Sequence, residues 1–461
     1  MKHKVHLGIL FLSIIALSSC ESFVEIDAPK TQIVRSKVFE NDNGARSTIS
    51  GILAQMTDNG MFASGSYGSV TVIGGLSSDE LLDQSSSQTQ VTLFNNALTP
   101  INNSTVNGNW DAIYSIIYAA NSALEGSQSS AMLSDEVRDQ VIGEAKFLRA
   151  FSHFYLVNLF GDVPLITTTD YRVNRAAART SMSEVYKQIE SDLLDAQRLL
   201  LDDYSLSDGE KTEPNKWAAT ALLARTYLYE KKWAESEAQA SAIIESGEFS
   251  LATDLNSVFL ANSEEAIWQL INVSPSYNTN EAPFMVIISA SADVSLSPAV
   301  VSAFESGDAR LNAWVGTYTD DDGSEYKYAY KYKVNFPDEP ITEYYMVFRL
   351  AEQYLIRAEA RAMQGNLIGA INDLNSIRVR ANLSSVIPTG LSQAQILNAI
   401  SQERRVELFV EWGHRWFDLK RSGSIDAVLG PVKPDWQSKD ALFPIPQSEI
   451  IANPNLTQNP Q

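Results

Sequence analysis

The sequence predicts a mainly α fold: a scaffold of tetratricopeptide-like helical pairs, interrupted by an irregular region of loops and short strands that would carry a ligand. Three observations predict it. Apolar residues recur at helical spacing over long stretches on both sides of residue 250. Two stretches, near 224–244 and 358–377, share one order of features: small residues, a tight turn, a second helix. Residues 250–343 instead show short alternating runs separated by polar loops. The chain has 461 residues, 44% hydrophobic and 20% charged, which is a globular composition with ample core. Length alone suggests about three domains, but repeat folds break that rule, so one body or several stays open.

The first element is no part of the fold. A basic start (Lys2, Lys4), an apolar run from Val5 to Leu17 and the closing Leu17-Ser-Ser-Cys20 form a leader over 1–19 that is too short to span a bilayer. Its ending resembles the lipobox of bacterial lipoproteins, in which the leader is cut before a cysteine that then receives a diacylglycerol. The only Cys of the chain stands at that position. The alternative is an ordinary secretory leader with a chance Cys. Residues 20–35 then form the lipidated Cys20 and a tether, and residues 36–461 the body.

Losing Lys2 and Lys4 leaves 33 basic against 56 acidic residues, so the net charge moves from −21 to −23. Nucleic acid is excluded as a partner, because phosphate binding needs an excess of the opposite sign. An acidic body does not adhere to anionic lipid either, so membrane attachment would come from acyl chains. His3 and His6 leave with the leader, and His153 and His414 remain. A Cys/His metal centre or a Cys nucleophile is thereby excluded, and no cofactor is expected.

Along the body, Trp110, Ile113, Tyr114, Ile117 and Leu124 recur at helical spacing over 109–124. Residues 134–160 read as a long apolar helix closed by Gly161 and Pro164. Ser181-Met-Ser-Glu184 is a capping-box pattern, and Pro214 suits the first turn of a helix reaching Lys231. Ala224 and Tyr227, the break at Lys231-Lys232 and Trp233–Ile244 form one candidate pair; Ala358, Arg361, Gly365-Asn366 and Leu367–Ile377 form the second. Two unrelated helical hairpins are the alternative. The scaffold would occupy about 109–249 and 344–421, with the insertion at 250–343 and a tail at 422–461. In the insertion, 265–273 reads as a strand, and alternation over 326–332 puts four tyrosines on one face.

Four segments resemble the SusD/RagB family of outer-membrane nutrient-binding lipoproteins. They are Asn109-Trp-Asp-Ala-Ile-Tyr114; Glu144-Ala-Lys-Phe-Leu-Arg149 continuing to Pro164; Arg349-Leu-Ala-Glu-Gln-Tyr-Leu-Ile-Arg357 with Leu374-Asn-Ser-Ile-Arg378; and Glu403-Arg-Arg-Val-Glu-Leu-Phe409 continuing to Lys420. The ending Phe443-Pro-Ile-Pro is similar to the family's closing signature. The resemblance implies a helical lipoprotein on the outside of the outer membrane. It implies a lid over a SusC-like TonB-dependent transporter, delivering glycan fragments or other nutrients without catalysis.

Sugar rings present apolar C–H faces and hydroxyl edges, so a binding surface calls for exposed aromatics beside amides and hydroxyls. Tyr67, Tyr277 with Asn278, Trp314 and Tyr318 fit, with Asp79, Phe94 and Asn96 as further contacts. The 76–110 loop holds no Trp before Trp110, unlike the aromatic arc of the starch-binding member for which the family is named, so another glycan, a peptide or a glycoconjugate stays open. A scaffold binding only the transporter is the other alternative. Glu403, Glu407 and Glu411 stand four apart and invite a glycosidase reading. Neighbouring Arg404, Arg405 and Arg415 favour ionised carboxylates, and a structural ion network is the better reading. His153 and His414 read as core, and Asp320-Asp-Asp-Gly323 as a solvated turn. Trp110, Trp217 and Trp233 read as core of the helical scaffold.

Cys20→Ala should release the protein from the membrane fraction into the soluble one. A variant that stays wholly with the membrane on fractionation would contradict lipid anchoring.

Overall fold

A computed structural model describes residues 35–58, 62–101, 104–273, 277–387 and 389–460. Cys20, the leader and all of the tether but Arg35 lie outside them. The helices of eight or more residues are α1 (Asp42–Thr57), α2 (Val70–Ser77), α3 (Ser104–Ser129), α4 (Asp135–Phe160), α5 (Met182–Leu199), α6 (Lys216–Tyr229), α7 (Trp233–Ser246), α8 (Leu350–Met363), α9 (Leu367–Arg380), α10 (Gln393–Glu407) and α11 (His414–Ser422). The strands are β1 (Leu81–Asp83), β2 (Val163–Pro164), β3 (Arg179–Thr180), β4 (Ala266–Leu270), β5 (Val294–Leu296), β6 (Val315–Thr319), β7 (Glu325–Ala329) and β8 (Tyr345–Arg349). They form four antiparallel two-stranded sheets, β1 with β5, β2 with β3, β4 with β8 and β6 with β7.

Helix ends follow their capping chemistry. Ser134 accepts from the Val137 amide to open α4, and Gly161 ends it at φ +76°, a left-handed conformation that glycine adopts without strain. Two expected starts differ. Ser181 accepts from the Glu184 amide as expected, but Glu184 turns its carboxylate to Lys187. Helix α6 begins after Asn215, whose side chain accepts from the Trp217 and Ala218 amides, so Pro214 precedes the cap and is not in the first turn.

Both expected helical pairs are present, α6 with α7 and α8 with α9. Ser236 is fully buried where it crosses α6, and its hydroxyl donates to the Ala224 carbonyl at 2.9 Å, which satisfies the polar atom inside the contact. Ala224, Leu228, Ala240 and Ile356 cluster together, so the second pair docks on the first through small residues. Trp110 is buried as expected; Trp217 and Trp233 are only half-buried, at the edge of the scaffold. The main core runs through α1, α3, α4, α5, β4, β8 and α11. Its centre is aromatic: Phe151 packs on Phe147, Tyr155, Trp268, Phe348 and Trp412 with ring centroids 4.9–6.0 Å apart.

The tyrosine stripe is shorter than its alternation suggests. Strand β7 ends at Ala329, and Tyr332 turns into the core, where its hydroxyl accepts from the Met346 amide at 2.9 Å. Asp320 accepts from the amides of Asp322 and Ser324 within the β6–β7 hairpin turn, so its carboxylate organises the turn's own backbone. His153 is buried, with Nδ1 3.0 Å from the Arg149 carbonyl, and burial pulls its pKa down to about 4, so it is neutral.

The carboxylates of Glu403, Glu407 and Glu411 form an ion network, but with distant partners. Helix α10 ends at Glu407, which leaves Glu411 in the following turn. Arg310 pairs with Glu403 at 2.7 Å and Glu407 at 2.8 Å, and Arg349 with Glu411 at 2.8 Å and with Glu407. Arg380 joins Glu407 to Glu265, and Lys331 holds Glu411. The expected local arginines point elsewhere, Arg404 to Asp418 and Arg415 to Asp79. Burial by itself would raise Glu407, but Arg380, Arg349 and Arg310 outweigh it and hold the group well below the usual carboxylate range.

Removing one member of a buried charge cluster leaves its partners uncompensated, so Glu407→Gln should cost about 3–5 kcal/mol. A urea midpoint equal to that of the unaltered protein would contradict this. Because Glu407 and Glu411 are depressed in the folded state, their contribution is complete above the unfolded carboxylate value of about 4.3 and is lost as pH falls below it. Thermal melts between pH 6 and 3 should therefore show a falling midpoint, less steep in the Glu407→Gln variant.

Candidate functional site

The insertion meets the end of α1 around an open cavity of about 510 Å³, lined by Asp58, Ser66, Asn272, Tyr277, Asn280, Phe284 and Asp293 among others. Amides build its floor. Asn272 Nδ2 donates to the Tyr277 carbonyl at 3.1 Å and to Asn280 Oδ1 at 2.9 Å, while Asn280 Nδ2 donates to the Thr57 carbonyl at 3.2 Å. The Thr57 hydroxyl donates to the Ile271 carbonyl at 3.1 Å, so the last turn of α1 and the segment after β4 hold each other. Phe284 projects from the short helix Glu281–Met285, and Tyr67 packs edge-on against it with centroids 4.5 Å apart. Burial, and then the Asp293 carboxylate beside it, push the Tyr67 phenol well above its ordinary value, so it is a neutral donor.

A second cavity of about 360 Å³ lies on the other side of the start of β5, lined by Gln84, Ser295, Tyr326 and Lys327 among others. The Gln84 amide donates to the Asp293 carbonyl at 2.9 Å, and its side chain to Ser295 Oγ at 2.8 Å. Tyr326 stands across the hairpin from Tyr318, with ring centroids 6.4 Å apart. The first cavity is a groove in which the Tyr277 and Phe284 rings stand among amides, a hydroxyl and carboxylates; Asp293 lines it, and Ser295 lines the second.

Of the residues expected from sequence, Tyr277 lines this groove and Tyr67 packs against Phe284 in its wall, while Tyr318 lines neither cavity and pairs across the hairpin with Tyr326 of the second. Four others are corrected to structural roles, and a fifth packs against the core. Trp314 is fully buried, its indole donating to the Leu255 carbonyl at 2.9 Å beneath the Lys331 ammonium. Asn278 is buried and accepts from the amides of Thr342 and Glu343, fixing the approach to β8. Asp79 is paired with Arg405 and Arg415, whose charges overcome burial and lower its pKa. Asn96 is buried in a left-handed turn at φ +54° and donates to the Ser77 carbonyl. Phe94 packs half-buried against the core with the Lys433 ammonium 3.5 Å from its ring centre.

Sequence reasoning missed Asp58, Asn272, Phe284 and Asp293. Each stands alone in an unremarked context, and only the return of β5 toward the end of α1 gathers them. Among the described residues no group of three His, Cys, Asp or Glu is placed to hold a metal ion, and no helix is long and apolar enough to cross a membrane.

A helical-pair scaffold with an open, aromatic and amide-lined groove defines a class of binding proteins. The chain belongs to the SusD family, whose profile matches residues 194–461; a SusD-like profile described as "Starch-binding associating with outer membrane" matches residues 39–228. A SusD-like protein of Formosa agariphila is 24% identical, the match covering 96% of this chain and 95% of that protein. The starch-binding protein SusD of Bacteroides thetaiotaomicron is 24% identical over 68% of this chain and 72% of its own. Among solved structures, a SusD superfamily protein from Bacteroides vulgatus superposes with TM-score 0.80 at 21% identity, covering 91% of this chain and 99% of that one. A structure described as a laminarin-binding SusD-like protein has TM-score 0.75 at 24% identity over 91% of this chain and 99% of its own.

Trp314→Ala should destabilise the protein by about 3–5 kcal/mol, as expected for truncating a buried aromatic. A denaturation midpoint unchanged from the parent would return Trp314 to the list of surface residues.

Proposed function

We propose that the protein is an outer-membrane lipoprotein, anchored through Cys20 and facing the cell exterior, that binds glycan or oligosaccharide nutrients and passes them to a SusC-like TonB-dependent transporter. It binds and does not catalyse. The observation that carries this reading is the groove itself: Tyr277 and Phe284 offer ring faces, and Asn272, Asn280, Ser66, Asp58 and Asp293 surround them with donors and acceptors. Stacking on a sugar's C–H face buries apolar area, while its hydroxyls exchange water for fixed amide and carboxylate partners.

Family membership supports the same reading, as do a relative named for starch and a neighbour described by laminarin binding. Asp58 and Asp293 give the groove a negative field, which favours neutral glycans over uronate-rich or sulfated ones. The conserved chemistry of a glycosidase has no counterpart in the Glu403–Glu411 cluster, whose members are buried among arginines. The Leu17-Ser-Ser-Cys20 ending supports the lipid anchor.

Calorimetry of the mature protein against neutral glucans, sulfated and uronate polysaccharides and peptides tests this. Neutral oligosaccharides should bind, and Tyr277→Ala should weaken them about 10- to 100-fold, equivalent to about 1.4–2.8 kcal/mol. A protein that binds none of the panel but still co-purifies with a transporter would be a scaffold, and the ligand-binding reading would fall.

A further inference from the structure

A third cavity, of about 430 Å³, lies away from the Tyr277 groove, where α3 faces the C-terminal segment. One face of α3 supplies Asp111, Tyr114, Ser115 and Tyr118, spaced at helical intervals, and Glu449 and Asn174 close the other side. Tyr118 is 54% exposed, so part of its ring is open to solvent at the cavity. Tyr114 is fixed by its hydroxyl, which donates to the Pro164 carbonyl at 2.8 Å, and by Trp110 at 4.9 Å between ring centroids. The cavity is therefore preformed, with one rigid and one available ring.

Its polar groups limit what can occupy it. Asp111 is exposed and Glu449 half-buried; burial raises Asp111 slightly above the usual carboxylate range, and burial followed by the charge of Asp111 raises Glu449. An apolar peptide segment would dehydrate them further without replacing lost hydrogen bonds. An anionic chain would meet two like charges, Asp111 and Glu449, against the single cation Arg175. A neutral polyhydroxylated ring supplies hydroxyl donors to the carboxylates and a C–H face to Tyr118.

The elements that carry the cavity and the groove touch each other. Gln55 of α1 donates to Ser115 Oγ at 2.7 Å, and Asp58, which lines the groove, lies one turn further along the same segment. Beneath the surface, the buried Asn109 amide, next to cavity residue Trp110, donates to the Gly68 carbonyl, two residues from groove residue Ser66.

We propose that this cavity is a second saccharide subsite, holding the far portion of a long neutral glycan whose other portion lies in the Tyr277 groove. The inference rests on the glycan reading of that groove. Its consequence is a dependence on chain length: two linked subsites raise affinity only for ligands long enough to reach both.

The test is calorimetry of the mature chain with laminari- and malto-oligosaccharides of two to three units and of eight or more. The unaltered protein should bind the long ligands of the accepted series about 10-fold or more tightly than the short ones. Tyr118→Ala, at an exposed position, should remove that gain and leave short-ligand affinity unchanged; Asp111→Ala provides an independent second variant. If both variants keep the full gain, or if short and long ligands bind the unaltered protein equally, the subsite is overturned while the groove reading stands. If Tyr118→Ala instead weakens only association with the transporter, the cavity is a protein contact and the proposal is overturned. If no oligosaccharide of any length binds, the groove reading fails and this inference fails with it.

Discussion

The buried pairing of Arg349 with Glu407 and Glu411 is the interaction on which the rest of the structure depends. Arg349 is the last residue of β8 and the cap position of α8, so it sits where the inserted region returns to the helical scaffold. Glu407 ends α10, and Arg310, Arg380 and Lys331 bring in the residues before β6, the end of α9 and the segment after β7. Four separate pieces of chain thus converge on the Glu403, Glu407 and Glu411 carboxylates of a fifth. Isolated buried charges would be prohibitive, so each element is held in register by the need to complete the others' partners.

The turn between α10 and α11 shows how tightly that constraint acts. Val410 and Trp412 adopt φ of +51° and +47°, a region unfavourable to any residue with a branched or bulky side chain. Lys331 donates to the Glu407 and Phe409 carbonyls, Glu80 accepts from the Val410 amide and Thr71 from the Trp412 amide. The backbone strain is offset by these bonds and by placing the Trp412 ring in the aromatic centre of the core.

The groove lies elsewhere in the insertion, away from that ion network. The groove is built from loop residues whose amides bond to one another and to the end of α1. Its floor is fixed, while Tyr277, Phe284 and the β6–β7 hairpin present faces to solvent. The separation has a physical logic, because a ligand surface with weak, additive contacts needs a frame that does not reorganise on binding.

Helix positions, the two helical pairs and the structural nature of the Glu403–Glu411 carboxylates are all legible in the chain, because they depend on periodicity, capping and local charge. The site is legible only in part. Tyr277 and Tyr67 carry a local mark, aromatic residues among Ser, Gly and Asn, whereas Trp314 and Asn278 carry a similar mark and are buried. Local composition cannot tell an aromatic over solvent from one under a lysine, since that difference is made by residues 17 to 59 positions away, such as Lys331 above the Trp314 ring and Leu255 at its indole. In the same way the sequence by itself determined that α10 carries carboxylates needing cations, and only the tertiary structure decided which cations. Helical spacing offered Arg404 and Arg415, but a buried carboxylate is satisfied by whichever guanidinium the packing brings into the same dry space, and those came from β8, α9 and the short helix before β6.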